Sequence, residues 1–175
     1  YLLSRYQRRG FAGIYVYVPT DAFEPGKALE SGILPIRFLE TKVIETNASY
    51  FDVTNQPSEK SYLREEALLG WSPVQTGQTA NRKKLDRYIK QMNLNPDRYI
   101  SALISQGAEP NSLSLSYNVY EANPWHFFIQ VDNSGTDNLK WKPRAGLIHT
   151  NLLGFDDRLT TIYQTSPDSH WDEEY

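Results

Sequence analysis

WHFFIQVDNSG (125–135), answered by KWKPRAGLIHTNLLGFDDRLTTIYQTS (140–166), is the stretch that decides how the chain is read. Trp125, Phe127, Ile129 and Val131 alternate with His126, Gln130 and Asp132, the period-two pattern of a strand with one apolar and one mainly polar face. Phe128 interrupts the polar row. Asn133-Ser134-Gly135 is turn chemistry, and a second run, Arg144 to Asn151, returns. Leu152-Leu153-Gly154-Phe155-Asp156-Asp157 turns the chain again into Arg158 to Thr165, where Leu159, Thr161 and Tyr163 share a face. Runs of roughly eight to ten residues have the length of tilted transmembrane strands. Alternation alone favours a soluble β-meander, because half-buried antiparallel sheets alternate in the same way.

The wording of the turns separates the two readings. Asp132, Asn133 and Gly135, then Asn151, Leu153, Gly154 and Asp157, resemble the barrel start of outer-membrane transporters of two-partner secretion, the family of haemolysin activators and filamentous-haemagglutinin exporters. In that family the first barrel strand ends in a Leu/Val-Asp-Asn-x-Gly turn and the second is followed by an Asn-Pro-Leu-Gly-x-x-Asp turn. Leu152 stands where proline is usual.

Upstream, Leu2, Leu3 and Tyr6 with Arg5, Arg8 and Arg9 predict the last turns of a helix stopped by Gly10, its cations at the favourable C-terminal end. A strand is predicted over 11–18, with Ile14, Val16 and Val18 opposite Tyr15 and Tyr17, and a loop over 20–31. A second strand spans 32–40, with Leu34, Ile36 and Phe38 inward and Pro35 facing an unpaired side. Gly10-Phe11 through Tyr17-Val18-Pro19, followed by Gly32, Leu34, Ile36, Phe38 and Glu40, resembles the back half of a polypeptide-transport-associated (POTRA) domain, whose order is β-α-α-β-β.

A second unit of that order follows. Its first strand spans 41–51, Asn55-Gln56-Pro57 turns, and Ser58 or Ser61 caps a short helix that Gly70 stops. Thr79 caps a longer helix in which Leu85, Tyr88, Ile89 and Met92 form one apolar stripe, expected to be core against the sheet. Pro96 bars its continuation. Strands over 99–105 and 112–121 close the unit, the latter with Leu113, Leu115, Tyr117 and Val119 inward. Leu94, Asn95, Ala102, Leu103, Gly107, Ser112, Leu113, Leu115, Val119, Glu121, Pro124 and Trp125 match the family's pattern here, although Pro96 follows Asn95 earlier than usual.

The fold class expected is therefore α+β followed by the first antiparallel strands of a transmembrane β-barrel. The resemblance divides the chain into the end of a first POTRA domain (1–40), a second POTRA domain (41–122) and a truncated barrel start (123–175). Tyr1 begins inside a helical pattern and residues 170–175 form an acidic tail, so the chain reads as an interior stretch of a longer protein.

A net charge of −3 offers no basic field for a polyanion, which disfavours nucleic acid. There is no cysteine, hence no disulfide framework. The 13% aromatic content, with twelve tyrosines, suits outer-membrane β-proteins and secreted sandwiches alike. His126, His149 and His170 lack metal-ligand spacing and read as solvent- or lumen-facing, and Asp156-Asp157 reads as a solvated turn pair. No nucleophile elbow, phosphate loop or dinucleotide loop occurs, so no enzyme, metal, nucleotide or other cofactor is expected. Asn47-Ala48-Ser49 is a chance sequon, and Lys140-Trp141-Lys142 fits an interfacial anchor or a hairpin tip equally.

The resemblance implies an outer-membrane translocator of a Gram-negative bacterium. Its periplasmic domains receive an unfolded secreted partner polypeptide and pass it through a barrel seated in outer-membrane lipid, without nucleotide. The candidate client site is a sheet edge, Tyr99, Ile100, Ala102 and Ile104, flanked by Leu85 and Ile89 of the striped helix, because an exposed edge takes up a strand through main-chain bonds. Two alternatives stand beside it: a barrel-assembly factor of the same superfamily, and a soluble β-rich binding module.

Overall fold

A computed structural model describes residues 2–20, 32–134 and 141–165. Among them the order is α1 (Leu2–Arg8), β1 (Ile14–Tyr17), β2 (Arg37–Glu40), β3 (Lys42–Phe51), α2 (Glu65–Trp71), α3 (Arg82–Met92), β4 (Arg98–Gln106), β5 (Ser112–Glu121), β6 (Trp125–Asp132), β7 (Lys142–His149) and β8 (Leu159–Gln164). They form three sheets, β1-β2, β3-β5-β4 and β6-β7-β8. Gly135, Lys140 and His170 lie outside the described residues.

The first sheet is smaller than the sequence predicts. Pro35 has no N–H to give to a ladder, and antiparallel pairing with β1 begins only at Arg37. Leu34, Ile36 and Phe38, expected inward, are about half exposed. Tyr6 of α1 meets Phe38 edge-on at 6.2 Å, while Leu34 and Ile36 join no core cluster. Gly10 ends α1 at φ 90°, a conformation open to glycine.

The second sheet carries the core. β5 lies in the middle, parallel to β3 and antiparallel to β4, with a register shift between Val43 and Glu45. Leu115, Tyr117 and Val119 of β5, with Val43 and Ile100 beside them, are sealed under Leu63, Leu68, Val74, Leu85 and Met92. Burying a side chain of this size contributes about 1.5–3 kcal/mol. Two buried core hydroxyls are served: Tyr117 shares a 2.6 Å bond with Ser72 Oγ, and Tyr88 donates to the Leu68 carbonyl at 2.6 Å.

Helix starts differ from the sequence reading. Neither Ser58 nor Ser61 caps α2; its N-cap is Arg64, which makes no side-chain capping bond. Ser58 Oγ bonds Lys60 instead, and the approach to α2 is fixed by Glu121, whose carboxylate accepts from Tyr62 N (2.7 Å) and Leu63 N (2.8 Å). Gly70 does not stop α2, which runs on to Trp71; an interior glycine costs only about 1 kcal/mol relative to alanine. For α3 the cap is Asn81 rather than Thr79, its Oδ1 accepting from Lys84 N at 3.1 Å. Ala80 is held outside the helix because its carbonyl accepts from Ala12 N at 2.9 Å.

The third sheet is an antiparallel meander that contributes nothing to this core. Trp125, Phe127, Ile129, Val131, Leu147 and Tyr163 share one face through the paired register. All are exposed, Phe127 at 69% and Ile129 at 70%. The other face carries His126, Gln130, Arg144, Thr160 and Gln164, with Phe128, Ile148 and Ile162 among them. Phe128 has a local reason to interrupt the polar row: it sits opposite Gly146, and a Cβ there would fall 2.2 Å from its ring. Arg144 donates to Gln130 Oε1 at 2.6 and 3.0 Å across the same pair of strands.

Candidate functional site

Among the described residues β4 has a partner on one side only, so its other side is an edge. Ile100 has its N–H and carbonyl turned to that edge, and the Asn93 side chain takes both: Asn93 Oδ1 accepts from Ile100 N at 2.7 Å and Asn93 Nδ2 donates to Ile100 O at 2.9 Å. Strand alternation turns the main chain of Ala102 and Ile104 the same way, and among the described residues no hydrogen bond closes it. The open edge is therefore the half of β4 beyond Ile100. Beside it runs a groove of about 270 Å³ lined by Ala12, Arg82, Leu85, Asp86, Ala102, Leu103 and Ile104.

The candidate client residues divide accordingly. Leu85 is core and Ile89 half-buried against it, while Ile100 is fully buried with its edge groups taken. Ala102 and Ile104 line the groove. Tyr99 points to the opposite face, exposed, with its ring 6.1 Å from Tyr120.

The turn residues do not assemble into one site. Asp132 and Asn133 end β6, where Asp132 Oδ1 accepts from Ser134 N at 2.8 Å. Asn151, Gly154 and Asp157 belong to the turn between β7 and β8, at the opposite end of the strands. There Asn151 Oδ1 accepts from Asp156 N (2.9 Å), and the Asp157 carboxylate accepts from Leu153 N (2.9 Å) and Phe155 N (3.4 Å). Burial raises the Asp157 carboxyl, but these N–H donors outweigh it and hold the group below its ordinary value. Gly154 adopts φ 85°, and a Cβ there would meet Arg64 at 2.6 Å.

This turn is docked on the middle module, which the sequence reading did not foresee. Gly154 O accepts from Arg64 N (3.1 Å), and the Arg64 guanidinium lies 5.0 Å from the Phe155 ring. Asp156 is not a solvated turn acid: its carboxylate is 2.6 Å from Nη2 of Arg98, whose side chain is 2% exposed. Asn95 Nδ2 donates to Thr150 O (2.7 Å) and Asp156 (3.2 Å). Asp97 receives Thr150 Oγ1 at 2.6 Å and pairs with His126 at 2.7 Å. Burial raises the Asp97 carboxyl, yet these two partners hold it below the ordinary value. Glu121 goes the other way: burial raises it, against the Tyr62 and Leu63 amides and Arg98. His149 is also a correction, buried at 4% rather than solvent- or lumen-facing, with Trp125 edge-on at 4.4 Å and Tyr62 at 6.5 Å.

Asn93, Asn95, Asp97 and Arg98 were missed because they follow no period; their partners in the meander lie 29 or more residues away, and Asn93 has its partner seven on. Among the described residues no group of three or more His, Asp or Glu side chains is placed to hold a metal ion, and no helix is long and apolar enough to cross a membrane.

An α/β module with an open edge at β4, tied by hydrogen bonds to a separate meander whose apolar face is bare, is the class of structure these observations define. No family model and no curated protein sequence matches the chain. Solved structures do. CdiB from Escherichia coli is 19% identical, with a TM-score of 0.65 over 92% of this chain and 27% of that one. CdiB from Acinetobacter baumannii is 17% identical, with a TM-score of 0.64 over 95% of this chain and 29% of that one. BamA from Haemophilus ducreyi lacking POTRA domains 1–3 is 14% identical, with a TM-score of 0.57 over 90% of this chain and 28% of that one. The chain thus has a fold shared with CdiB and BamA, and spans less than a third of the length of each.

Proposed function

We propose that the chain belongs to an outer-membrane translocator of two-partner secretion. In this reading residues 1–40 end a first POTRA domain, 41–122 form a second, both in the periplasm of a Gram-negative bacterium, and 123–175 open a barrel in outer-membrane lipid. An unfolded secreted polypeptide docks on the Ala102–Ile104 edge and passes on through the barrel, with no chemical step and no nucleotide.

The observation that carries the reading is the bare apolar face of β6-β7-β8 set against a mainly polar reverse. A soluble domain rarely leaves such a face uncovered, whereas a barrel wall presents it to lipid and turns the polar side to the lumen. Trp141, exposed, precedes β7 at one end of that face and Trp125 lies at the other, as aromatic residues do at the two membrane boundaries.

A photo-cross-linker at Ala102 of the full-length protein tests client docking. Adducts with a secreted polypeptide during transport are expected there and not at Tyr99, which points to the opposite face; transport without adducts at Ala102 contradicts the edge as the docking site. The fold shared with BamA favours barrel assembly as the second reading. It predicts adducts with unassembled outer-membrane proteins instead.

A further inference from the structure

We propose that the β4 groove prefers client segments carrying acidic residues at one end of the docked strand, read by a cation cluster shared between α1 and α3. The inference rests on the client-docking reading above and names the chemistry of the client.

Two concavities adjoin. The groove beside Ala102 and Ile104 shares Ala12 and Arg82 with a second hollow of about 520 Å³ that extends over Gln7, Phe11 and Lys83. Arg82 and Lys83 line them, and the Arg8 and Arg9 carbonyls bond Lys83 and Asn81 at the α3 start; all four cationic side chains are exposed. Among the described residues the ion pairs are Arg98–Asp156 and His126–Asp97, so no described carboxylate lies within bridging distance of these four cations. Among the described residues Asp86 is the one acid lining either hollow.

The cluster runs against the rest of the chain. The net charge is −3, yet four cations from the α1 end and the α3 start share one junction. The first turn of α3 holds Arg82, Lys83 and Lys84 and no acid, although the helix dipole disfavours cations there. The dipole favours the cations that end α1 but not those that open α3.

The cluster is also held in place. Arg82 N donates to Gly10 O at 2.8 Å, Ala12 N to Ala80 O at 2.9 Å, and Asn81 Nδ2 to Arg9 O at 3.3 Å. Lys83 Nζ donates to Arg8 O at the end of α1. The α1 end and the α3 start therefore form one surface at the Ile104 end of the open edge. A strand added along Ala102 and Ile104 advances about 3.3 Å per residue, so its next two or three residues lie over the cations. Acidic residues there pair with cations that no described carboxylate meets.

The test uses the full-length protein in detergent with a cross-linker at Ala102 and alternating Val/Thr peptides that are neutral, or carry aspartates at one end or the other. One of the two acidic peptides is expected to cross-link at about tenfold lower concentration than the neutral one, the sum of a few exposed ion pairs. The preference should fade in high salt and in the Arg8→Gln/Arg9→Gln/Arg82→Gln/Lys83→Gln variant, which should cross-link the neutral peptide as before. Equal cross-linking of all three peptides overturns the charge preference and leaves the edge reading intact. Failure of every peptide to cross-link, in a protein that keeps its native melting profile, overturns both.

Discussion

Arg98 and Asp156 meet at 2.6 Å across the boundary between the core sheet and the meander, the guanidinium buried and the carboxylate about a third exposed. Arg98 also donates to Met92 O at 2.7 Å, which ties α3 into the same contact. Removing the carboxylate leaves a desolvated cation without its counter-charge. Asp156→Asn should cost about 2 kcal/mol of stability. Arg98→Met paired with Asp156→Leu should cost less than the sum of the two single changes, since burying an ion pair carries its own desolvation penalty. Denaturant melts in a double-mutant cycle give the coupling; additivity would mean that the two residues do not hold the turn together.

The pH dependence of this junction has two opposed parts. Asp97 is held below its ordinary 3.8 by Thr150 and His126 in spite of burial. The stability it adds is present above that pH and is lost as the pH falls through the depressed value. Glu121 is raised above its ordinary 4.5, chiefly by burial. Its ionised form therefore subtracts stability at neutral pH, and the penalty is gone below 4.5. Relative to wild type, Asp97→Asn should lose its disadvantage under strongly acidic conditions, and Glu121→Gln should reduce the gain on mild acidification. Thermal melts across pH read both.

Much of this architecture was legible from residue order. The alternation in β5 and β6 and the stripe in α3 are periodic signals, and each element formed where its period ran. Helix starts were misread because the caps are decided at a distance: Ala12 holds Ala80 out of α3, and Glu121 fixes the approach to α2. The docked turn was invisible for the same reason. Arg98 gives no local sign that its partner lies 58 residues on.

Asn93 acts as a plug on the sheet edge, its amide taking both open groups of Ile100. Asn93→Ala should cost about 1–2 kcal/mol for two lost neutral hydrogen bonds. It should also lengthen the free edge toward Arg98. Hydrogen exchange at Ile100 would rise, and stronger self-association at high concentration is expected. Unchanged exchange would mean that the side chain does not close the edge.

Gly146 leaves room for the Phe128 ring, which a Cβ would approach to 2.2 Å. Gly146→Ala should destabilise the meander by about 1–3 kcal/mol through overpacking. The added Phe128→Leu change should restore most of it. The shift in the temperature at which the full-length protein unfolds in detergent measures both.

The central claim is that β6, β7 and β8 are a stretch of barrel wall. These 175 residues hold no cysteine, so single cysteines along β6 can be read in a full-length protein in its membrane, any cysteines elsewhere being replaced first. At Phe127, Ile129 and Val131 a lipid-phase label should react and a water-soluble maleimide should not. At His126 and Gln130 the order should reverse. Aqueous labelling of both rows alike, or protection of the Phe127 row from both reagents, would contradict the account.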